Sequence, residues 1–148
     1  GMGNVGTLLN TGVDLNMNLE VLNTNNLRWN VYANFNLTLV DDTDIYVGDS
    51  VMFGPNVTIA TAGHPVEPEL RRKVAQFNIP VHIGNNVWIG AGTTVLAGVT
   101  IGDNSVIGAG SVVSRSIPEH VVAVGVPCRV MRQITEEDKY RYPRYKGN

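Results

Sequence analysis

From Val47 onward an apolar residue recurs every sixth position. Val47, Phe53 and Ile59 are followed in the same register by Ile83, Ile89, Val95, Ile101, Ile107 and Val113. Ile, Val and Phe supply 34 of the 148 residues, so nine such matches by chance have odds of about one in a million. The neighbours explain the period. Glycine follows the apolar site at 48, 54, 84, 90, 102 and 108. Three positions past it stand Ser50, Asn56, Asn86, Gly92, Gly98, Asn104 and Gly110, residue types that tolerate positive φ at a sharp turn. Each hexapeptide therefore predicts a short strand with a branched side chain inward, then a corner. Three such units close a triangular coil of about 18 residues, and stacked coils bury what one coil cannot. The predicted fold is all-β, a parallel β-helix.

The pattern also sets boundaries. Leu27, Ala33, Leu39, Ile45, Val51 and Val57 hold a companion phase two residues before the main site, so the coil is expected over 27–117. Leu9, Leu15 and Val21 extend that phase, but glycines and turn asparagines are out of step there. Residues 1–26 are expected to be an irregular or degenerate first coil. Residues 63–80 match no hexapeptide, are charged and proline-bounded, and give way to the register at Val81; an extruded loop accounts for this. Beyond Pro118 an exit segment is expected, then a short helical tail starting at Thr135-Glu136-Glu137-Asp138, with Thr135 as its cap. All 148 residues are expected to form one domain.

Composition agrees and adds exclusions. There are 22 Val, 9 Ile and 16 Gly against 8 Ala, 6 Glu and 3 Lys, which rules out an all-α protein. A net charge of −2 supplies no basic face for nucleic acid and no polybasic membrane signal. No apolar run approaches a spanning helix or a signal-peptide core. Cys128 is the single cysteine, so no internal disulfide forms, and no Cys/His cluster has zinc spacing. A cytoplasmic protein without a bound metal is the expectation.

Asn-Asn-Val-Trp-Ile-Gly (85–90), Gly-Val-Thr-Ile-Gly-Asp-Asn (98–104) and Val-Ile-Gly-Ala-Gly-Ser-Val-Val (106–113) resemble the hexapeptide-repeat acyltransferases. Tyr-Ala-Asn-Phe-Asn (32–36), Gly-His-Pro (63–65) and Gly-Val-Pro-Cys-Arg-Val (125–130) are similar to the maltose/galactoside O-acetyltransferase branch. The likeness runs from Tyr32 to Arg132. It implies a left-handed coil, a homotrimer with active sites between subunits, and acetyl-CoA as co-substrate. The family's helical cap ahead of the coil and its Tyr-Gly-x-Asn lead-in are not matched; the latter position reads Glu20-Val21-Leu22-Asn23.

By that resemblance His64 is the general base that deprotonates an acceptor hydroxyl, and an imidazole neutral near pH 7 suits the task. Of the other histidines, His82 lies between inward Val81 and Ile83 and is expected to face outward, and His120 lies in the exit segment. The matching position of Asn34 helps to stabilise the transition state, an amide donor being able to hold an oxyanion. Asp42 and, more weakly, Tyr32 match positions that contact the sugar acceptor. For the donor, Trp88 is expected along the pantetheine, Ala91 and Ala109 to offer main-chain groups, and Ser114, Arg115, Arg129 and Arg132 to lie near the adenosine phosphates, where guanidinium forks suit phosphate oxygens. Cys128 reads as a packed residue, since no partner base is evident. The implied activity is acetyl transfer from acetyl-CoA to a hydroxyl of a sugar or similar small acceptor, without a covalent enzyme intermediate. An antibiotic or other xenobiotic acceptor, or a non-catalytic coil used as a scaffold, remain the alternatives. A γ-type carbonic anhydrase shares the coil but needs three metal histidines, and the three here lack a common face.

Overall fold

The computed structural model describes residues 20–24, 27–30, 37–40 and 42–141. Strands β1 (Glu20–Thr24) and β2 (Leu27–Asn30) pair antiparallel. Only two residues separate them, a connection too short for parallel pairing. Among the described residues the parallel ladder begins with β3 (Thr38–Val40) and continues through β4 (Ile45–Val47), β5 (Met52–Phe53) and β6 (Thr58–Ala60). The excursion at 63–80 is a ribbon: β7 (Ala62–Gly63) and β8 (Phe77–Asn78) pair antiparallel, with α1 (Pro68–Arg72) between them. The next coil is β9 (Val81–Ile83), β10 (Trp88–Ile89) and β11 (Thr94–Val95). Above it lie β12 (Thr100–Ile101), β13 (Val106–Ile107) and β14 (Val112–Val113). Then β15 (Val121–Val124) and β16 (Arg129–Gln133) precede a 3-10 helix over Glu136–Tyr140, which begins at Thr135 as expected.

Three faces result, in the orders β12-β9-β4, β16-β15-β13-β10-β5 and β14-β11-β6-β3. Register follows the hexapeptide arithmetic: Trp88 pairs with Val106 and Thr94 with Val112, eighteen residues apart. All seven predicted corner residues have positive φ, between 53° and 77°. Side-chain amides also bind between corners, Asn86 Nδ2 donating to Asn104 Oδ1 at 3.0 Å.

Of the nine residues expected inward, Ile59, Ile83, Ile89, Val95, Ile101, Ile107 and Val113 are buried and Phe53 is partly so. Val47 is the exception at 48% exposure. It sits on β4, the end strand of its face among the described residues, where β9 is its one neighbouring strand. The companion phase also points inward. It contributes Val57, Val81, Val87 and Val99, and buried Thr93, Ser105 and Ser111. Those hydroxyls donate to the carbonyls of Gly90 (2.7 Å), Pro118 (2.8 Å) and Gly108 (2.6 Å), so the interior keeps no unsatisfied polar group there.

The coil ends deviate by two residues. Leu39 pairs with Ile59, twenty apart, and Ile107 with Ala123, sixteen apart. The second slip hides β15 from a count in sixes, and the coil therefore passes the expected end at 117. Beyond the turn at Gly125 (φ +102°), β16 returns antiparallel on β15.

Candidate active site

The ribbon leaves the coil at the corner after β6. Buried Thr61 anchors that root: its hydroxyl donates to Val40 O at 3.0 Å and accepts from Thr43 N at 3.2 Å, and its carbonyl accepts from Ile79 N at 2.8 Å. At the tip, Glu67 caps α1 by accepting from Leu70 N at 2.7 Å, and Arg71 Nη1 donates to Val66 O at 2.8 Å. The strands are held face to face beside the histidine. A Cβ on Gly63 would lie 2.4 Å from Phe77 Cζ, so the aromatic ring rests on a position only glycine leaves open.

His64 is exposed, with Nδ1 2.9 Å from Ala75 O. A carbonyl can only accept, so Nδ1 carries the proton and donates it. In the neutral ring Nε2 then keeps its lone pair. The backbone thus selects the tautomer that presents a base to solvent. Asp42 stands against the same ribbon: Oδ2 accepts from Gln76 Nε2 at 3.1 Å, and its main-chain carbonyl accepts from Asn78 Nδ2 at 3.4 Å. His64 and Asp42 are tied to successive residues, Ala75 and Gln76, just ahead of β8. The anchors Ala75, Gln76 and Asn78 were not foreseen. Tyr32 and Asn34 lie outside the described residues.

The donor candidates are distributed elsewhere. Ala91 and Ala109 stack at the corner between β10 and β11 and its counterpart above, where Gly110 N donates to Ala91 O at 2.8 Å. Ser114 and Arg115 are exposed at the opposite edge of that face, on the corner that two coils earlier emits the ribbon. Trp88 projects from β10, 50% exposed, between Met52 at 57% and Val106. Arg129 Nη1 donates to Cys128 O at 2.7 Å. Arg132 forms a two-pronged ion pair with Asp138, Nη1 to Oδ2 at 2.8 Å and Nη2 to Oδ1 at 2.7 Å. Those bonds, with one from Thr135 N, lower the Asp138 carboxyl to about 2. Within one chain, then, the two described acceptor candidates, His64 and Asp42, are held by one segment, and the donor candidates are spread over several elements.

Cys128 is buried at 2% exposure, and burial pushes its thiol up, away from nucleophilic use. His82 faces outward, stacked on Tyr46 with ring centroids 4.6 Å apart. Tyr46 donates to Asp44 Oδ2 at 2.9 Å, and that hydrogen bond and charge raise its phenol. Among the described residues no group of three His, Cys, Asp or Glu could hold a metal ion. None of their helices is long and apolar enough to cross a membrane.

A three-faced parallel coil counted in sixes fits the hexapeptide-repeat acetyltransferases. The family described as bacterial transferase hexapeptide (six repeats) matches residues 80–115. A galactoside O-acetyltransferase of Lactococcus lactis subsp. lactis (strain IL1403) is 63% identical over 112 residues, covering 76% of this chain and 54% of that protein. The structure of a galactoside acetyltransferase in complex with coenzyme A superposes with a TM-score of 0.70 at 56% identity, covering 72% of this chain and 53% of that one. A maltose O-acetyltransferase from Clostridium difficile 630 gives 0.67 at 51% identity, over 69% and 55%. The chain belongs to the maltose/galactoside O-acetyltransferase family, and its coil is a left-handed parallel β-helix. It spans about half the length of the relatives it matches.

Proposed function

We propose that the protein transfers an acetyl group from acetyl-CoA to a hydroxyl of a sugar or similar small acceptor, with His64 as general base. The observation that carries this reading is the bond from His64 Nδ1 to Ala75 O, which leaves Nε2 as the proton acceptor. Nε2 takes the hydroxyl proton as the acceptor oxygen attacks the thioester carbonyl. The tetrahedral intermediate collapses with loss of the thiolate, and the imidazolium returns its proton to sulfur, so no acyl-enzyme forms. Asn34 is assigned to the oxyanion and Asp42, with Tyr32, to acceptor hydroxyls. Trp88, Ala91, Ala109, Ser114, Arg115, Arg129 and Arg132 are assigned to the donor. The coenzyme A held by the galactoside acetyltransferase neighbour supports acetyl-CoA as the donor. Galactosides and maltose are the first acceptors to try, from the names of the relatives.

Trp88, Ala91 and Ala109 lie on a different face and corner from the ribbon that carries His64, which supports sites shared between subunits of a homotrimer. A cytoplasmic setting, where the one thiol stays reduced, completes the proposal.

The test is steady-state kinetics with free-thiol detection. His64→Ala should lower kcat by about 10²–10⁴-fold, the usual worth of general-base assistance, or ~3–5 kcal/mol of barrier. Acetyl-CoA affinity should hold, because the imidazole serves the acceptor proton. Arg115→Ala should show the reverse pattern. Near-normal kcat in His64→Ala would place the base elsewhere. Acetyl-CoA binding without turnover on any hydroxyl would select a non-catalytic coil.

A further inference from the structure

The return arm of the ribbon presents two polar side chains, Gln76 just ahead of β8 and Asn78 within it, for which the reaction proposed above has no use. Gln76 Nε2 donates to Oδ2 of Asp42 at 3.1 Å and to Oδ1 of Asn78 at 2.8 Å. Both amide hydrogens are thereby committed, which fixes the direction of the side chain. Asn78 Nδ2 reaches the main-chain carbonyl of Asp42 at 3.4 Å. The preceding residue, Ala75, holds the His64 imidazole at 2.9 Å. Two consecutive residues leading into β8 therefore grip the base and the carboxylate. Phe77, seated over Gly63, locks the register of that strand one residue before the histidine.

We propose that Gln76 is a positioning residue that sets the Asp42 carboxylate relative to the His64 imidazole and so governs recognition of the hydroxyl-bearing acceptor. The inference rests on the reading of His64 and Asp42 as the acceptor side of the site. The chemistry of an amide suits the role. It donates to the carboxylate without neutralising it, and a carboxylate that accepts one N–H retains lone pairs for acceptor hydroxyls. A lysine there would compete for the same charge, and a carboxylate would repel it.

The experiment is a double-mutant cycle on the full chain, with methyl galactoside and maltose as acceptor probes at saturating acetyl-CoA. Gln76→Ala should raise acceptor KM roughly three- to tenfold, the worth of about one hydrogen bond, and change kcat and acetyl-CoA affinity by less than about twofold. In an Asp42→Asn background the same change should add little, since the two act through one contact. Gln76→Glu sets a second carboxylate beside Asp42, so its KM defect should be large at pH 8 and shrink toward pH 5, as one of the pair takes up a proton. Trypsin digestion at Arg71, Arg72 and Lys73 reports on the ribbon, and the Gln76 variants should be cut at the wild-type rate. A wild-type KM, additivity with Asp42→Asn, or faster cleavage that tracks the KM change would overturn the proposal. His64→Ala, assayed in parallel, separates the two readings. Full turnover in that variant removes the acceptor-site assignment and this inference with it. An inactive His64→Ala beside unaffected Gln76 variants removes the inference alone.

Discussion

The guanidinium of Arg132 meets the Asp138 carboxylate through two bonds, at 2.8 and 2.7 Å, and the same carboxylate accepts from Thr135 N at 2.9 Å. One acidic side chain thus ties the terminal 3-10 helix both to β16 and to its own first turn. Its folded-state pKa of about 2 lies below the ordinary 3.8. The pair's contribution is therefore complete above 3.8 and is lost as pH falls through about 2. Asp138→Asn should speed amide hydrogen exchange over residues 135–141 at pH 7, and the difference from wild type should vanish near pH 2. A variant that exchanges like wild type at pH 7 would deny the carboxylate this role. The same scale shows what sequence reading can reach. His64 was visible because Gly63 and Pro65 flank it. Its anchor Ala75 lies eleven residues away, and the partner of Asp42 thirty-four away; neither separation carries a local or periodic signal.

The element that repeats is the strand-plus-corner, and its tightest points are glycines. A Cβ on Gly90 would sit 2.5 Å from Ala109 N and 2.8 Å from Ala109 Cα, backbone atoms of the coil above. Nothing flexible can yield there, and Gly90→Ala should cost about 1–3 kcal/mol, as overpacking does. Gly92, two residues on, has open space but φ +67°; Gly92→Ala should cost about 1–2 kcal/mol by a different route, left-handed backbone strain. Urea midpoints of the two variants measure both, and an unchanged midpoint for Gly90→Ala would contradict the coil stacking. Main-phase positions were readable because Ile, Val or Phe marks all nine of them. Thr93, Ser105 and Ser111 were missed as core because a hydroxyl paired to a carbonyl is indistinguishable, in a sequence, from one facing water. Spacings of twenty and sixteen at the two ends defeated a count in sixes for the same kind of reason: the geometry tolerates a slip that the arithmetic does not.

Across the whole molecule the outer surface of one face is apolar, with Met52 and Trp88 exposed and Val106 and Val122 following in register. The β4-β9-β12 face shows Tyr46, His82 and Thr100 at the equivalent positions. An apolar strip on a flat, rigid face suits contact with a second copy. In a homotrimer whose sites draw His64 from one subunit and Trp88 from the next, two defective variants should complement. His64→Ala and Trp88→Ala chains, unfolded together and refolded in equal amounts, should recover about a quarter of the wild-type sites, the statistical share of interfaces with both residues intact. Light scattering should give three times the chain mass. No recovery on mixing, or a monomer at micromolar concentration, would refute shared sites.

The ribbon has one further consequence. Thr94 pairs with Val112 eighteen residues ahead but with Thr58 thirty-six residues behind. The excursion from 63 to 80 therefore consumes as many residues as one turn of the coil and leaves the turn count intact. Its excision would join Ala62 to Val81 with the hexapeptide phase unbroken. An insertion or deletion at this corner is thus silent to every ladder above and below it. Lineages can lengthen, shorten or exchange the segment proposed above to meet the acceptor while inheriting the prism unchanged, so on that proposal a new substrate requires rewriting one corner rather than refolding a protein.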